Sequence, residues 1–280
     1  MLYCNLPCYG GCRALRYLPL LEKLAESARS SVLRIYGSED ASRALSKGAS
    51  GDVTKVIDKV AEDAVLEVLR GEGFKGSVVS EEGGVIELGG EPLCIVLDPV
   101  DGTTNATRQV PFFCSSIALS TGRRLKDVVA GVVVEFPSGR VFKAEKGYGA
   151  YLEDRRLHVV KRDFREAVVG VNLNIKRKPE VLDALLPVIK ASPHVRLFGS
   201  VALELCYIAM GGLDAFIDAR GLLRVVDVAA AKVILEEAGG LMLSLQGEPL
   251  DAELTPTTRV SFLAASTREI AEELLKRLSF

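Results

Sequence analysis

At 280 residues, 48% of them hydrophobic and with a mean hydropathy of +0.22, the chain can bury a large core as one domain or two packed lobes, which excludes a disordered protein. Its 35 basic and 37 acidic residues leave a formal charge of −2, so nothing asks for nucleic acid or an anionic membrane as a partner. Two His and no Trp argue against a His-based metal site or a His-dependent triad.

The opening MLYCNLPCYGG lacks the basic and apolar regions of a signal peptide, and no apolar run reaches the length of a membrane span. The cytoplasm is the expected compartment. Cys4, Cys8 and Cys12 are four apart, but Pro7 and Gly10-Gly11 oppose a helix and the spacing is not a zinc pattern. Residues 1–12 therefore read as a loose N-terminal extension, or as lying before the true start. Cys94, Cys114 and Cys206 sit in apolar runs and read as core thiols.

Arg13–Tyr36 carries Leu20, Leu21, Leu24, Ala28, Val32 and Leu33 at helical spacing, with Pro19 either kinking the helix or delaying its start. Gly37–Gly51 reads as a polar loop. A second helix runs from about Lys55 to Arg70 and is ended by Gly71. Asp58 lies in its first turns, where a carboxylate suits a helix N-terminus. Ser77–Ser80 reads as a strand. Glu81-Glu82-Gly83-Gly84 follows it, a solvated turn that could also supply a metal ligand.

Leu93–Leu97 is a short apolar run that reads as a buried strand, with Asp98 at its end and Pro99 stopping it. Asp98 and Asp101 project from one tight turn, beside the amides of Gly102 and Thr103. Alone, this is ordinary turn and cap chemistry. It also fits a hard divalent cation, since Mg²⁺ tends to bridge carboxylates and substrate phosphate. Amides at a turn that opens a helix suit phosphate oxygens.

Cys114–Ser120, Val128–Phe136 and Arg140–Lys146 read as strands, the last two joined by a Pro137-Ser138-Gly139 turn. With Leu157–Val160 they complete an antiparallel region, so residues 13–166 form an α+β lobe. The second half alternates: strands Val168–Leu173, Val195–Phe198, Leu213–Asp218, Leu241–Leu245 and Val260–Ala264, and helices Pro179–Lys190, Val201–Met210, Val228–Ala238 and Arg268–Leu278. That makes residues 167–280 an α/β lobe. No linker divides the two, so they are expected to pack as one body. Asp227 starts the Ala-rich helix that ends at Gly239-Gly240, reading as a cap and a further acidic station.

With Glu81, Asp98, Asp101 and Asp227 placed, the sequence from about Leu15 onward resembles the inositol monophosphatase family of Mg²⁺-dependent, lithium-sensitive phosphatases. DPVDGTTN looks like the family's D-P-x-D-G-T-x-N. VVDVAAAKVILEEAGG looks like its D-x-A-(x)-E-A-G-G signature, and SEEGG like its acidic turn. GDVTKVID stands at the Thr-x-x-Asp-type segment, with Thr54 and Asp58 spaced one residue wider than in the family. The resemblance is to the archaeal branch that also hydrolyses fructose 1,6-bisphosphate, with Val226 where a Trp is common.

The resemblance implies a layered α/β/α/β/α sugar-phosphatase fold, a homodimer, and two or three Mg²⁺ per site with Mn²⁺ as a substitute. It implies small-molecule sugar or polyol phosphates as substrates. Glu81, Asp98 and the carbonyl of Val100 would hold one metal, and Asp98, Asp101 and Asp227 a second, with Glu81 sharing a third. Asp58, Thr103 and Glu81 would be catalytic, Thr103 and Asp58 orienting the attacking water. Gly102 and Thr103 would bind phosphate through their amides. Gly199, Ser200 and Ala202 would contact the polyol, Asp218 a hydroxyl and Arg220 a second phosphate. Read as residues alone, these last are equally a helix cap, a strand-end acid and a surface Arg. The alternatives are a nucleotide 3′-phosphatase or NADP phosphatase of the same superfamily, and a non-catalytic sugar-phosphate-binding regulator, against which the full carboxylate set counts.

Overall fold

The computed structural model describes residues 15–278 apart from 50, 52, 91 and 92. The proposed N-terminal extension and its three cysteines lie outside the described residues. Helix α1 spans Leu18–Leu33, with Pro19 in its first turn, where a missing N–H costs nothing. Pro19 thus starts the helix and does not kink it. The segment read as a polar loop instead holds strand β1 (Ala44–Lys47), which pairs antiparallel with β2 (Val53–Lys55). Its Ser, Gly and Lys content hides a ribbon that depends on a partner strand. Helix α2 (Val56–Gly71) follows.

The next strands are β3 (Ser77–Ser80), β4 (Gly84–Glu87) and β5 (Cys94–Asp101), then the short helix α3 (Thr103–Thr107). After it come β6 (Cys114–Ser120), β7 (Val128–Glu135), β8 (Val141–Glu145), β9 (Gly149–Leu152) and β10 (Arg155–Leu157). All but the β1–β2 ribbon join one sheet in the order β10-β9-β8-β7-β6-β5-β3-β4, antiparallel except for the β3–β5 pair. Pro99 does not end β5. The ladder with β6 shifts register between Asp98 and Asp101, and a proline needs no ladder donor at such a bulge.

The second half contributes β11 (Val168–Val171), α4 (Val181–Ala191), β12 (His194–Arg196), α5 (Val201–Ala209), β13 (Ala215–Arg224), α6 (Val225–Glu237), β14 (Leu241–Leu243), β15 (Arg259–Ala265) and α7 (Arg268–Leu275). Its five strands lie in the order β12-β11-β13-β15-β14.

Alternation along the strands builds the layers. Ile95, Leu97, Val132 and Val134 face α1 and α2, while Val96 and Val133 face α5 and α6. The second sheet meets α5 and α6 through Phe216, Phe262 and Ala264, and meets α4 and α7 through Val169, Ile217 and Leu263. The stack is α1α2, sheet, α5α6, sheet, α4α7, the layered α/β/α/β/α fold that the resemblance implied. Helix α6 is buried on all sides from Val225 to Leu235, as a helix between two sheets must be. Among the described residues no helix is long and apolar enough to cross a membrane.

Candidate active site

Parallel pairing sets Ser80 of β3 opposite Leu97 of β5, so Glu81, just past the end of β3, lies beside Asp98 within β5. The first turn of α6 brings in Asp227. One carboxylate oxygen from each of Glu81, Asp98 and Asp227 lies within 4.8 Å of the others, and all three residues are buried. Asp227 is not the cap residue itself. Arg224 holds that position, and Asp227, three residues on, accepts the Arg224 N–H through Oδ2 at 2.9 Å. Asp58 repeats the arrangement at α2, accepting the Lys55 N–H at 2.9 Å.

Asp98 Oδ1 accepts the Val100 N–H at 3.1 Å, but Oδ2 is buried with no hydrogen-bond partner. Burial, then the charges of Glu81, Asp227 and Asp101, pushes the Asp98 carboxyl well above its ordinary range. Burial does the same to Glu81, opposed by Arg224 and reinforced by Asp227. An all-oxygen donor set with an orphaned buried carboxylate oxygen fits a hard divalent cation.

Asp101 does not join this trio but lies close enough to feel its charge. Its Oδ2 accepts the Ser200 hydroxyl at 2.8 Å and the Ala202 N–H at 2.7 Å, so from the end of β5 it caps helix α5. Burial and the Asp227 charge still push it up to about 7. Asp58 is likewise pushed up to about 7, by burial first and then by Glu82. Its Oδ1 is buried without a hydrogen-bond partner, with Thr103 near enough to offset part of the shift. The Thr103 hydroxyl donates to the Val100 carbonyl at 3.0 Å.

Gly102 has φ +89°, and a Cβ there would meet Phe112 O, Phe113 Cβ and Ser200 Cβ, each at 3.2 Å. Only glycine fits this corner. Asn105 then clamps the motif to the segment that enters α5. Its Nδ2 donates to the carbonyls of Phe112 (2.8 Å) and Phe198 (2.7 Å), whose rings stack at 4.7 Å. This fixes the turn at Gly199 and Ser200, the latter being the cap residue of α5.

Of the two readings of Arg220, a second-phosphate contact and a surface Arg, burial removes the surface one. It is 7% exposed, and its Nε donates to Asp218 at 3.0 Å while Nη1 reaches the Asn174 carbonyl at 3.3 Å. Residues two apart on a strand share a face. The buried Asp218 carboxylate draws the guanidinium onto itself.

Three residues of the site carried no mark in the sequence reading. Glu62 of α2 accepts the Gly83 N–H at 2.8 Å and the Ser80 hydroxyl, pinning the acidic turn. Glu204 of α5 accepts the Phe198 N–H at 3.0 Å, and burial pushes it up to about 8. Arg224 pairs with Glu81 and with Asp227. Only Arg224 had a local signal, its place three residues before Asp227.

Residues 17–280 match the sequence profile of the inositol monophosphatase family. A fructose-1,6-bisphosphatase/inositol-1-monophosphatase of Methanothermobacter thermautotrophicus is 37% identical, the match covering 91% of this chain and 94% of that one. A bifunctional NADP phosphatase/NAD kinase of Methanococcus maripaludis is 31% identical over 89% of this chain and 47% of its own length. A solved inositol monophosphatase–fructose 1,6 bisphosphatase superposes with a TM-score of 0.84 at 30% identity, covering 94% of this chain and all of that one (100%). With the profile spanning nearly the whole chain and the same layered fold beneath it, the chain belongs to the inositol monophosphatase family.

Proposed function

We propose that the protein is a divalent-cation-dependent phosphomonoesterase acting on fructose 1,6-bisphosphate, inositol 1-phosphate or both. The observation that carries this is the buried Glu81–Asp98–Asp227 trio with its orphaned Asp98 oxygen, in a family where relatives bear those two activities in their names.

Glu81, Asp98 and Asp227 would hold the cation, with the carbonyl of Val100 and the carboxylate of Asp101 completing a set of two or three sites for Mg²⁺ or Mn²⁺. A cation bound there supplies Lewis-acid polarisation of the phosphate and neutralises its charge. Asp58 and Thr103 would orient the attacking water, Asp58 through its buried, unpartnered Oδ1. The Gly102 and Thr103 amides would receive phosphate oxygens. Gly199, Ser200 and Ala202 would line the sugar or polyol, and Asp218 would meet a hydroxyl after releasing Arg220. The enzyme would act in the cytoplasm and, as the family resemblance implies, as a homodimer.

A second reading, NADP phosphatase, draws on the relatives that carry that activity beside a kinase. Phosphate release from fructose 1,6-bisphosphate, inositol 1-phosphate, NADP and adenosine 3′,5′-bisphosphate, each with and without Mg²⁺, separates these. Mg²⁺-dependent release from either of the first two supports the main reading. Release from NADP alone replaces it with the second.

A further inference from the structure

Arg224 is the last residue of β13 and opens α6, and its guanidinium enters the acidic trio. Nη1 pairs with Glu81, 143 residues away in sequence, and Nε donates to Asp227 Oδ1 at 2.9 Å. The side chain is 17% exposed. Asp227 then has both oxygens engaged by the same residue, Oδ2 by the Arg224 backbone N–H and Oδ1 by its guanidinium. A cation cannot draw on Asp227 Oδ1 at full strength while Nε–H holds it. The guanidinium also cannot lose its charge to make way, so it must move.

We propose that Arg224 is the resident counter-ion of the cation-free site, and that a divalent cation enters by exchanging with its guanidinium. The proposal rests on the cation-dependent reading above. Three buried carboxylates without a countercharge would repel one another and open the β3–β5–α6 junction. Arg224 keeps that junction formed. The same contact lowers apparent cation affinity to its intrinsic value times the fraction of molecules with the guanidinium out of the site. Arg224 thus sets the cation concentration at which the site loads.

The test uses Mn²⁺ alone, with the full chain and no substrate. Mn²⁺ binding is counted by electron paramagnetic resonance in wild type, Arg224→Gln and Arg224→Lys, and each is melted in excess chelator. If nine molecules in ten hold the guanidinium in, Arg224→Gln should bind Mn²⁺ about tenfold more tightly. It should also melt several degrees lower when cation-free, with Arg224→Lys between the two. Equal or weaker Mn²⁺ binding by Arg224→Gln overturns the exchange while leaving the cation-dependent reading intact. No Mn²⁺ binding by wild type overturns both.

A wild-type readout stands independently should Arg224→Gln fail to fold. The Nε–H proton resonance of Arg224, assigned by its loss in Arg224→Lys, should be protected from exchange without cation and lose that protection on saturation with Mg²⁺. A resonance unchanged by Mg²⁺ overturns the proposal.

Discussion

Asp101 caps α5 through Oδ2 and, in the proposed reading, lends its charge to the cation site; Asn can keep only the first. In Asp101→Asn the amide oxygen can still accept from Ser200 and Ala202, so α5 stays capped and melting should shift by only a few degrees. The lost charge should lower turnover by about a hundredfold at saturating Mg²⁺, as phosphate release will measure. Arg220→Ala tests the opposite case. Removing the Arg220 side chain leaves the fully buried Asp218 with the residue-220 backbone N–H but no countercharge, a loss of about 3–5 kcal/mol. That corresponds to a fall in Tm of about ten degrees, with fructose 1,6-bisphosphate and inositol 1-phosphate turnover affected alike. A KM increase on the bisphosphate alone would instead make Arg220 a contact to its second phosphate. At this scale the acids were legible because residue type and spacing advertise them. The partners were not. Nothing local marks Glu62 for Gly83, and whether Arg220 meets solvent or Asp218 depends on what covers the strand.

Helix starts carry much of the site, since Asp58 and Asp227 both lie in the first turn of a helix and Asp101 caps a third. The sequence pattern located these helices within a few residues. It missed the β1–β2 ribbon and stopped β5 too early, because a ribbon and a bulge depend on partner strands. Glu204 of α5 gives a pH test. Burial raises its carboxyl from an ordinary 4.5 to about 8, with the Phe198 N–H opposing and Asp101 and Asp218 adding. Folded protein keeps this proton where unfolded protein releases it, so the wild type loses stability as pH rises from 4.5 to about 8. Glu204→Gln has no proton to lose. Its Tm advantage should grow across that window and level off above it, and a margin independent of pH would contradict the shift. Gly131 of β7 tests the seat of α6. A Cβ there would lie 2.7 Å from the Ala230 carbonyl oxygen, and backbone cannot step aside cheaply. Gly131→Ala should cost about 1–3 kcal/mol and reduce turnover, since α6 carries Asp227. Calorimetry and an activity assay check both.

Across the whole molecule, strand–helix alternation in the second half announced an α/β lobe, and the meander in the first half announced an α+β one. The order of strands was not readable, because it is set by which faces bury against α5 and α6. The resemblance supplied that layering, and the stack of two sheets around these helices bears it out. This arrangement delivers three carboxylates from distant parts of the chain to one buried point. The direct test is phosphate release as Mg²⁺ is titrated into chelator-treated wild type and Asp98→Asn. The wild type should be inactive without cation and recover saturably. Asp98→Asn, folded by circular dichroism, should recover no more than about one per cent of that rate. Full turnover of wild type in excess chelator, or normal recovery by Asp98→Asn, would contradict a cation held at Glu81, Asp98 and Asp227.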